Sequence, residues 1–192
     1  MASGFSRTSP KCVGARRGEQ LIVVAAVVVF AFMALEARRA SRNERAQRAH
    51  GGIEPPDDVY RWMQVAYPAA FAAMLLEGTL RHAPPASLAT AGVVVFALAK
   101  ALKWWAIVTL GRFWTFRVIV VPGAPLVDRG PYRFIRHPNY IGVIGELVGV
   151  GLLTGAVISG PLGTALFALL IRQRVAVEER ALANSPHVHR GV

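Results

Sequence analysis

The sequence contains little cysteine and little charge. Cys12 is the single cysteine among 192 residues, which excludes a disulfide framework and a metal cluster held by several thiolates. Charged residues make up 17% of the chain, below the roughly 25% of a typical soluble domain. Hydrophobic residues make up 54% and the mean hydropathy is +0.40, so the composition indicates a protein whose solvent is lipid.

Acidic residues are scarce relative to basic ones. The chain has 22 Lys and Arg against 11 Asp and Glu, a net charge of +11. Such an excess is typical of proteins that contact nucleic acid or the anionic face of a membrane. Most basic residues lie outside the apolar runs and are not interleaved with aromatic residues on a polar surface. We therefore expect membrane lipids as a partner and no nucleic acid.

Long apolar runs are what the sequence has in abundance. They predict an all-α, polytopic membrane protein with about five transmembrane helices, over residues 21–35, 59–80, 86–110, 139–155 and 156–171. The first run is shorter than the roughly 20 residues that a span needs, so it either crosses the membrane or lies in its interface. A signal peptide is the rival interpretation, but Glu36-Ala37-Arg38-Arg39 is a poor small-residue cleavage site and more apolar runs follow.

These runs divide the chain into four parts. We predict a flexible tail over 1–19, transmembrane helices 1 to 3 over 20–110, a catalytic region with helices 4 and 5 over 111–182, and a second tail over 183–192. Asp57 and Asp58 suit the N-terminus of the second helix by capping and by the helix dipole. His187 and His189 in the last tail are interpreted as solvated, and no metal site is predicted.

The arginines predict an orientation. If residues 111–138 face the cytosol, so do the arginine-rich segment 38–50, a cytosolic loop or surface helix, and the end of the fifth run. The opposite side then holds Arg81 and the N-terminal tail, whose four basic residues are the one departure from the positive-inside rule. The departure vanishes if the first run lies in the interface.

Residues 112–138 differ from the rest because turn-forming residues interrupt them repeatedly, as in Pro122-Gly123-Ala124-Pro125 and Gly130-Pro131. Irregular backbone at a membrane must line a cavity or be buried in protein. Pro138 suits the first turn of a helix, whose free N–H groups attract a carboxylate or phosphate. This segment between helices 3 and 4 is therefore the predicted cofactor-binding segment.

A second polar cluster lies at the end of the last run. Arg174 and Glu178 are four residues apart and so share a helix face. Alone, they would indicate an ordinary interfacial ion pair. A helical hairpin of helices 4 and 5 returns them to the membrane face that holds residues 132–140.

Two motifs carry a resemblance to a known family. The segment Gly130–Gly142 has the pattern G-x-Y-x-x-x-R-H-P-x-Y-x-G, and Arg174–Glu179 has the pattern R-[IV]-x-x-E-E. With Leu110–Gly123 they resemble the bacterial branch of the isoprenylcysteine carboxyl methyltransferases and phospholipid methyltransferases, over roughly residues 103–182. The resemblance implies a membrane enzyme that uses S-adenosyl-L-methionine to methylate an oxygen, a carboxylate or a phenol or enol, of a lipophilic or lipidated acceptor. It also implies the inner membrane of a bacterium, with the active site facing the cytosol.

The resemblance also implies roles for individual residues. Glu178 would hold the cofactor and Arg174 would face the acceptor, and these two are the predicted catalytic residues. Arg136 and Glu146 are further candidates on the acceptor side, although Glu146 could instead pair with Lys100 or Lys103 inside the protein. The remaining predicted cofactor contacts are Pro125, Leu126, Val127, Tyr132, His137, Pro138, Asn139 and Tyr140.

Two alternatives from other classes remain. Membrane reductases of the sterol type, which bind NADPH, share a similar R-H-P-N-Y but continue as N-Y-x-G-E, whereas Val143 follows Gly142 here. A structural membrane protein without catalysis is the other. The identity of the acceptor stays open, but the bacterial character of Leu110–Gly123 favours an alkylated pyrone, resorcinol, quinol or fatty acid over a prenylated cysteine.

Overall fold

The computed structural model describes residues 10–183 and is built from helices. The helices are α1 (Pro10–Ala49), α2 (Tyr60–Leu80), α3 (Ala86–Leu110), α4 (Pro138–Thr154) and α5 (Ser159–Ala183). Two short 3₁₀ helices, Gly111–Phe113 and Gly130–Arg133, interrupt the stretch between α3 and α4. This range contains no strand, and its one isolated bridge joins Ile53 to Val120. The prediction of an all-α protein is confirmed for these residues.

Helix α1 is a single rod of 40 residues, roughly 60 Å at 1.5 Å per residue. It takes in residues 10–19, predicted as a tail, and most of the arginine-rich segment predicted after the first run. The reason is local: residues 19–49 contain neither glycine nor proline, so nothing ends the helix where the apolar run ends. It stops before Gly51, whose φ of +78° favours glycine. The rest of the predicted N-terminal tail, residues 1–9, lies outside the described residues.

Helices α2 and α3 begin and end close to the predicted runs. The turn between them contains Pro84 and Pro85, and Pro85 immediately precedes α3. Gly18 of α1 lies beside this turn, where a Cβ atom would be 3.3 Å from the Cβ of Ala83. Near its other end, α1 reaches the segment after α3 through Asn43, whose amide donates to the carbonyl of Gly111. Thus α1 runs along the full height of the bundle.

Helices α3 and α4 pack with their backbones in close approach. A Cβ atom at Gly149 would lie 2.6 Å from the backbone nitrogen of Phe96, and one at Gly92 would lie 2.4 Å from that of Leu153. Gly145 also faces α3, beside Ala99. Small residues allow this approach, as they do in membrane helix pairs. The contact fixes the start of α4 next to the end of α3.

Helix α5 starts after the turn 155–158 and extends to Ala183, well past the predicted end of its apolar run. Gly155 ends α4 with φ of +67°. The carboxylate of Glu77 accepts hydrogen bonds from the backbone N–H groups of Ile158 and Ser159 at the start of α5. The second predicted tail lies outside the described residues from position 184 onward, and so do His187 and His189.

Two helical stretches, Gly18–Ala49 and Ala86–Phe113, are long and apolar enough to cross a membrane. The interior is mainly apolar, with Phe71, Met74 and Leu147 fully buried. The outer faces also carry large apolar side chains, including Val24, Val65, Leu98 and Leu169. An exterior of this kind fits an integral membrane protein.

Candidate active site

The segment between α3 and α4 is held against the polar end of α1. The amide of Asn43 donates to the carbonyl oxygens of Gly111 and Trp114, at 3.0 and 2.7 Å, and Gln47 donates to that of Arg112 at 3.0 Å. Farther along, Ile53 and Val120 exchange two backbone hydrogen bonds of 2.9 Å. The extension of α1 beyond its apolar run therefore supports the segment that leads into the site.

Glu54 fixes the same segment electrostatically. It pairs with Arg48 at the end of α1 and with Arg117, whose Nη1 lies 2.6 Å from Oε1. Burial alone would raise the pKa of Glu54, but the hydrogen bonds and charges of Arg117 and Arg48 lower it below its usual value. Glu54 is therefore a charged anchor at neutral pH.

Several predicted site residues meet at Glu178. The hydroxyl of Tyr140 donates to Oε2 of Glu178 at 3.0 Å, and Nδ1 of His137 lies 3.9 Å from the same oxygen. The rings of His137 and Tyr140 stack with centroids 5.6 Å apart. Burial raises the pKa of Tyr132, and the negative charge of Glu178 raises it further. The two motifs, over thirty residues apart in sequence, thus form one polar cluster.

Arg174 joins this cluster to a cavity. Its Nε donates to the hydroxyl of Tyr140 at 3.1 Å, and its Nη1 lies 2.6 Å from Oδ1 of Asp58. Only 6% of the side chain is exposed. Its third nitrogen, Nη2, has no hydrogen-bond partner within residues 10–183, and Arg174 lines the cavity. Nη2 is therefore the nitrogen of Arg174 whose two N–H groups are both available for a ligand.

The cavity has a volume of about 430 Å³ and mainly apolar walls. Met33, Met63, Val65, Phe116 and Phe167 supply much of the apolar lining. Polar groups line it as well, including Asn139, Tyr140 and Arg174. An apolar space with a few oriented polar groups suits a lipophilic molecule that carries one reactive polar end.

A second, more open groove of about 480 Å³ lies between α4 and α5. Arg136, His137 and Tyr140 border it, together with an apolar wall of isoleucine and valine side chains from both helices. Tyr140 lines both spaces. The polar cluster around Glu178 thus lies where the two spaces approach each other.

His137 has an unsatisfied polar atom. Its Nε2 is buried and has no hydrogen-bond partner among the described residues, and the nearest carboxylate oxygen, Oε1 of Glu179, is 3.6 Å away. Within residues 10–183, Glu178 has a single side-chain hydrogen bond, to Oε2, which leaves Oε1 available. With its proton on Nε2, His137 would place a donor beside the anion Glu178, a pair that fits the carboxylate and the amino group of a zwitterionic ligand. The methionine part of S-adenosylmethionine is such a ligand.

The structure places the other predicted residues at varying distances from this cluster. Asn139 accepts a hydrogen bond from the indole of Trp114 at 3.3 Å and lines the cavity, while Pro138 is buried at the start of α4. Arg136 is largely exposed and pairs with Glu179 at 3.3 Å. Pro125, Leu126 and Val127 lie in the irregular segment and line neither space.

Glu146 adopts the second of its two predicted arrangements. It is buried against Lys100 and Lys103, at 2.9 and 3.3 Å, and is absent from the lining of the cavity. Both lysines also contact Glu36 of α1. Glu36 and Asp58 were not predicted as members of polar clusters. The signal for Glu36 was a single acid at the end of an apolar run, and Asp58 looked like its neighbour Asp57.

Comparison with known proteins decides the family. The sequence model of the isoprenylcysteine carboxyl methyltransferase (ICMT) family matches residues 91–184, the part that holds both motifs. The chain belongs to this family. Relatives of the chain include the uncharacterized protein YpbQ of Bacillus subtilis, which is 31% identical over 149 residues, or 78% of this chain and 89% of YpbQ.

Two other relatives extend the comparison. An uncharacterized protein of Haemophilus influenzae is 25% identical over 144 residues, 74% of this chain and 84% of its own. A probable protein-S-isoprenylcysteine O-methyltransferase of rice is 31% identical over 94 residues, 46% of this chain and 47% of its own. No solved structure matches the chain. Membership of the ICMT family indicates a membrane methyltransferase.

Proposed function

We propose that this protein is an integral membrane methyltransferase that transfers the methyl group of S-adenosyl-L-methionine to an oxygen, a carboxylate or a phenol or enol, of a lipophilic acceptor. The observation that carries the proposal is the hydrogen-bonded row Glu178, Tyr140, Arg174. At one end of the row lies the unpartnered Nε2 of His137 beside Glu178, and at the other is a largely apolar cavity.

The cofactor end of the row follows from charge. Glu178 would bind the amino group of the cofactor through its available oxygen, and Nε2 of His137 would donate to the carboxylate. The N-terminus of α4 would favour the same carboxylate through its dipole. When bound, S-adenosylmethionine supplies an electrophilic methyl carbon on a sulfonium.

The acceptor end of the row would orient an oxygen. Nη2 of Arg174 would donate to it, and because the guanidinium stays protonated it favours the deprotonated form of an acid or phenol. The apolar walls, including Met63 and Phe167, would hold the hydrocarbon part and exclude water. Alignment and exclusion of water are what a displacement without strong acid or base catalysis requires.

We place the site at the cytosolic face of a bacterial inner membrane, with five spans and α4 and α5 as a hairpin. The arginine-rich end of α1, the segment 111–137 and the end of α5 lie at one end of the bundle, as the pairs Asn43 to Gly111 and Arg174 to Asp58 indicate. The excess of arginines at that end supports a cytosolic location.

Binding of the cofactor tests the proposal. We expect the protein in lipid nanodiscs to bind S-adenosylmethionine in calorimetry, and Glu178→Gln and His137→Ala to weaken that binding about 10- to 100-fold. One lost hydrogen bond to a charged group is worth roughly 1.5–3 kcal/mol, and 1.4 kcal/mol is a factor of ten. Asp128→Asn, which removes an exposed acid in the loop, is the matched control and should bind as the unmodified protein does.

One result would contradict the proposal. If the unmodified protein binds NADPH and does not bind S-adenosylmethionine, the methyltransferase proposal is wrong and the reductase alternative replaces it.

If the protein does bind S-adenosylmethionine, the acceptor chemistry is tested next. Transfer of tritiated methyl groups to N-acetyl-S-farnesylcysteine indicates a carboxylate acceptor, and transfer to 3-pentadecylphenol indicates a phenol.

A further inference from the structure

Asp58 is a buried carboxylate that the ICMT motifs do not include. Its side chain is 4% exposed and lies in the turn before α2, outside the matched residues 91–184. Oδ1 accepts hydrogen bonds from Nη1 of Arg174 at 2.6 Å and from the backbone N–H of Tyr60 at 3.0 Å. Oδ2 accepts one from the backbone N–H of Val118 at 2.8 Å.

The two backbone hydrogen bonds hold this carboxylate in place independently of Arg174. Tyr60 begins α2, and Val118 belongs to the segment that is bridged to the same turn through Ile53 and Val120. Arg117, next to Val118, pairs with Glu54 of that turn at 2.6 Å. Asp58 is therefore an anion fixed by backbone from two parts of the chain.

The position of Asp58 determines the orientation of the Arg174 guanidinium. Asp58 holds Nη1 and the Tyr140 hydroxyl holds Nε, which defines the plane of the guanidinium. Nη2 is then the nitrogen that has no partner within residues 10–183. Asp58 also neutralises a cation that is almost entirely buried. A buried cation that loses its partner is destabilised, so its side chain would move toward other anions or water and lose this orientation.

We infer that Asp58 is a positioning residue for methyl transfer: it holds Arg174 in the orientation in which Nη2 meets the acceptor oxygen. The part of the inference that concerns transfer rests on the proposed function. The part that concerns the orientation of Arg174 does not. The N-terminal half of the chain thereby contributes to a site whose recognised motifs all lie in the C-terminal half.

The experiment compares Asp58→Asn with Asp57→Asn. The two acids are adjacent, but Asp57 is half exposed and pairs with Arg180 at the surface, so it controls for the loss of one negative charge in this turn. In protein labelled with ¹⁵N-arginine, the Nε–H signal of Arg174 is assigned by its loss in Arg174→Gln. We expect Asp58→Asn to shift or broaden this signal and Asp57→Asn to leave it unchanged.

Methyl transfer to the two probe acceptors provides the second measurement. We expect Asp58→Asn to lower kcat at least tenfold while the Kd for S-adenosylmethionine changes less than twofold, which also shows that the variant folds. If Asp58 acts through Arg174, the double variant Asp58→Asn with Arg174→Gln loses no more activity than Arg174→Gln alone.

Two results would overturn the inference. One is an Arg174 signal that is the same in Asp58→Asn as in the unmodified protein. The other is a double variant whose fold-loss of activity equals the product of the fold-losses of the two single variants. If the unmodified protein methylates neither probe and binds no S-adenosylmethionine, the proposed function fails instead. The arginine signal still decides whether Asp58 orients Arg174.

Discussion

Four charged side chains are buried together at mid-height in the helix bundle. Glu36 of α1 lies 3.0 Å from Lys100 and 2.7 Å from Lys103 of α3, and Glu146 of α4 lies 2.9 and 3.3 Å from the same lysines. The hydroxyl of Tyr67 also donates to Glu146. None of the four charged side chains is more than 10% exposed. The charges of the two acids and the two lysines balance, and this balance is what allows them to be buried inside a membrane protein.

The residue-scale prediction is that Lys103→Met destabilises the protein. It leaves Glu36 and Glu146 with one cation between them, and an uncompensated buried charge costs about 3–5 kcal/mol. Unfolding in mixed detergent micelles measures the free energy. The double variant Lys103→Met with Glu146→Gln restores the charge balance, so we expect it to recover part of the loss. An unchanged stability of Lys103→Met would show that the cluster is not a balanced unit.

At the same scale, the sequence predicted the residues that repeat a motif and missed those that depend on distant contacts. Tyr140, Arg174 and Glu178 could be named because their spacing is a pattern, and the structure joins them by hydrogen bonds. Asp58 could not be distinguished from Asp57, since its partner Arg174 is 116 residues away. The role of Glu146 was left between two arrangements because the depth of Lys100 and Lys103 depends on how α3 packs on α4.

At the scale of the helices, the packing of α3 on α4 depends on glycine. Gly149→Ala would place a Cβ 2.6 Å from the backbone nitrogen of Phe96, which a side-chain rotation cannot relieve. Gly151→Ala on the same helix would place a Cβ 3.3 Å from the Cα of Gly160 in α5, a milder contact. Both changes gain the same helix propensity, so their difference reports packing.

We therefore expect Gly149→Ala to unfold at a lower temperature than Gly151→Ala, by several degrees, as measured by the loss of helical circular dichroism in detergent. Equal unfolding temperatures would mean that α3 and α4 move apart readily enough to accommodate the alanine side chain.

Helix limits were predicted well where a turn-forming residue ends the apolar run and poorly where none does. Pro84, Pro85 and Gly155 lie at helix ends, and α2 to α4 match their predicted runs. Helices α1 and α5 continue through charged residues beyond their apolar runs. Hydropathy marks the residues that contact lipid, but the helix itself continues as long as the residues have adequate helix propensity. The extra turns are the ones that carry Asn43, Arg174 and Glu178.

At the scale of the whole molecule, charge separates the two ends of the bundle. The arginines in the last third of α1 and those of α5 lie at the end that holds the site, while Arg81 and the basic residues at the start of α1 lie at the other. By the positive-inside rule, this excess of arginines supports the proposed location of the site on the cytosolic side. We expect a green fluorescent protein fused after Val192 to fluoresce and alkaline phosphatase fused there to be inactive. Alkaline phosphatase inserted after His82 should be active, and the reverse pattern would contradict the proposed orientation.

The buried charge cluster has a consequence for biosynthesis. Glu36 precedes Lys100 by 64 residues, so at roughly 5–20 residues per second the ribosome delivers the first lysine about 3–13 seconds after the acid. During that interval the acid of α1 has neither of the two cations that it contacts in the folded protein, and a charged side chain without a partner is costly to bury. The first helix therefore reaches its final environment only after helices that are synthesised later have supplied the balancing charges.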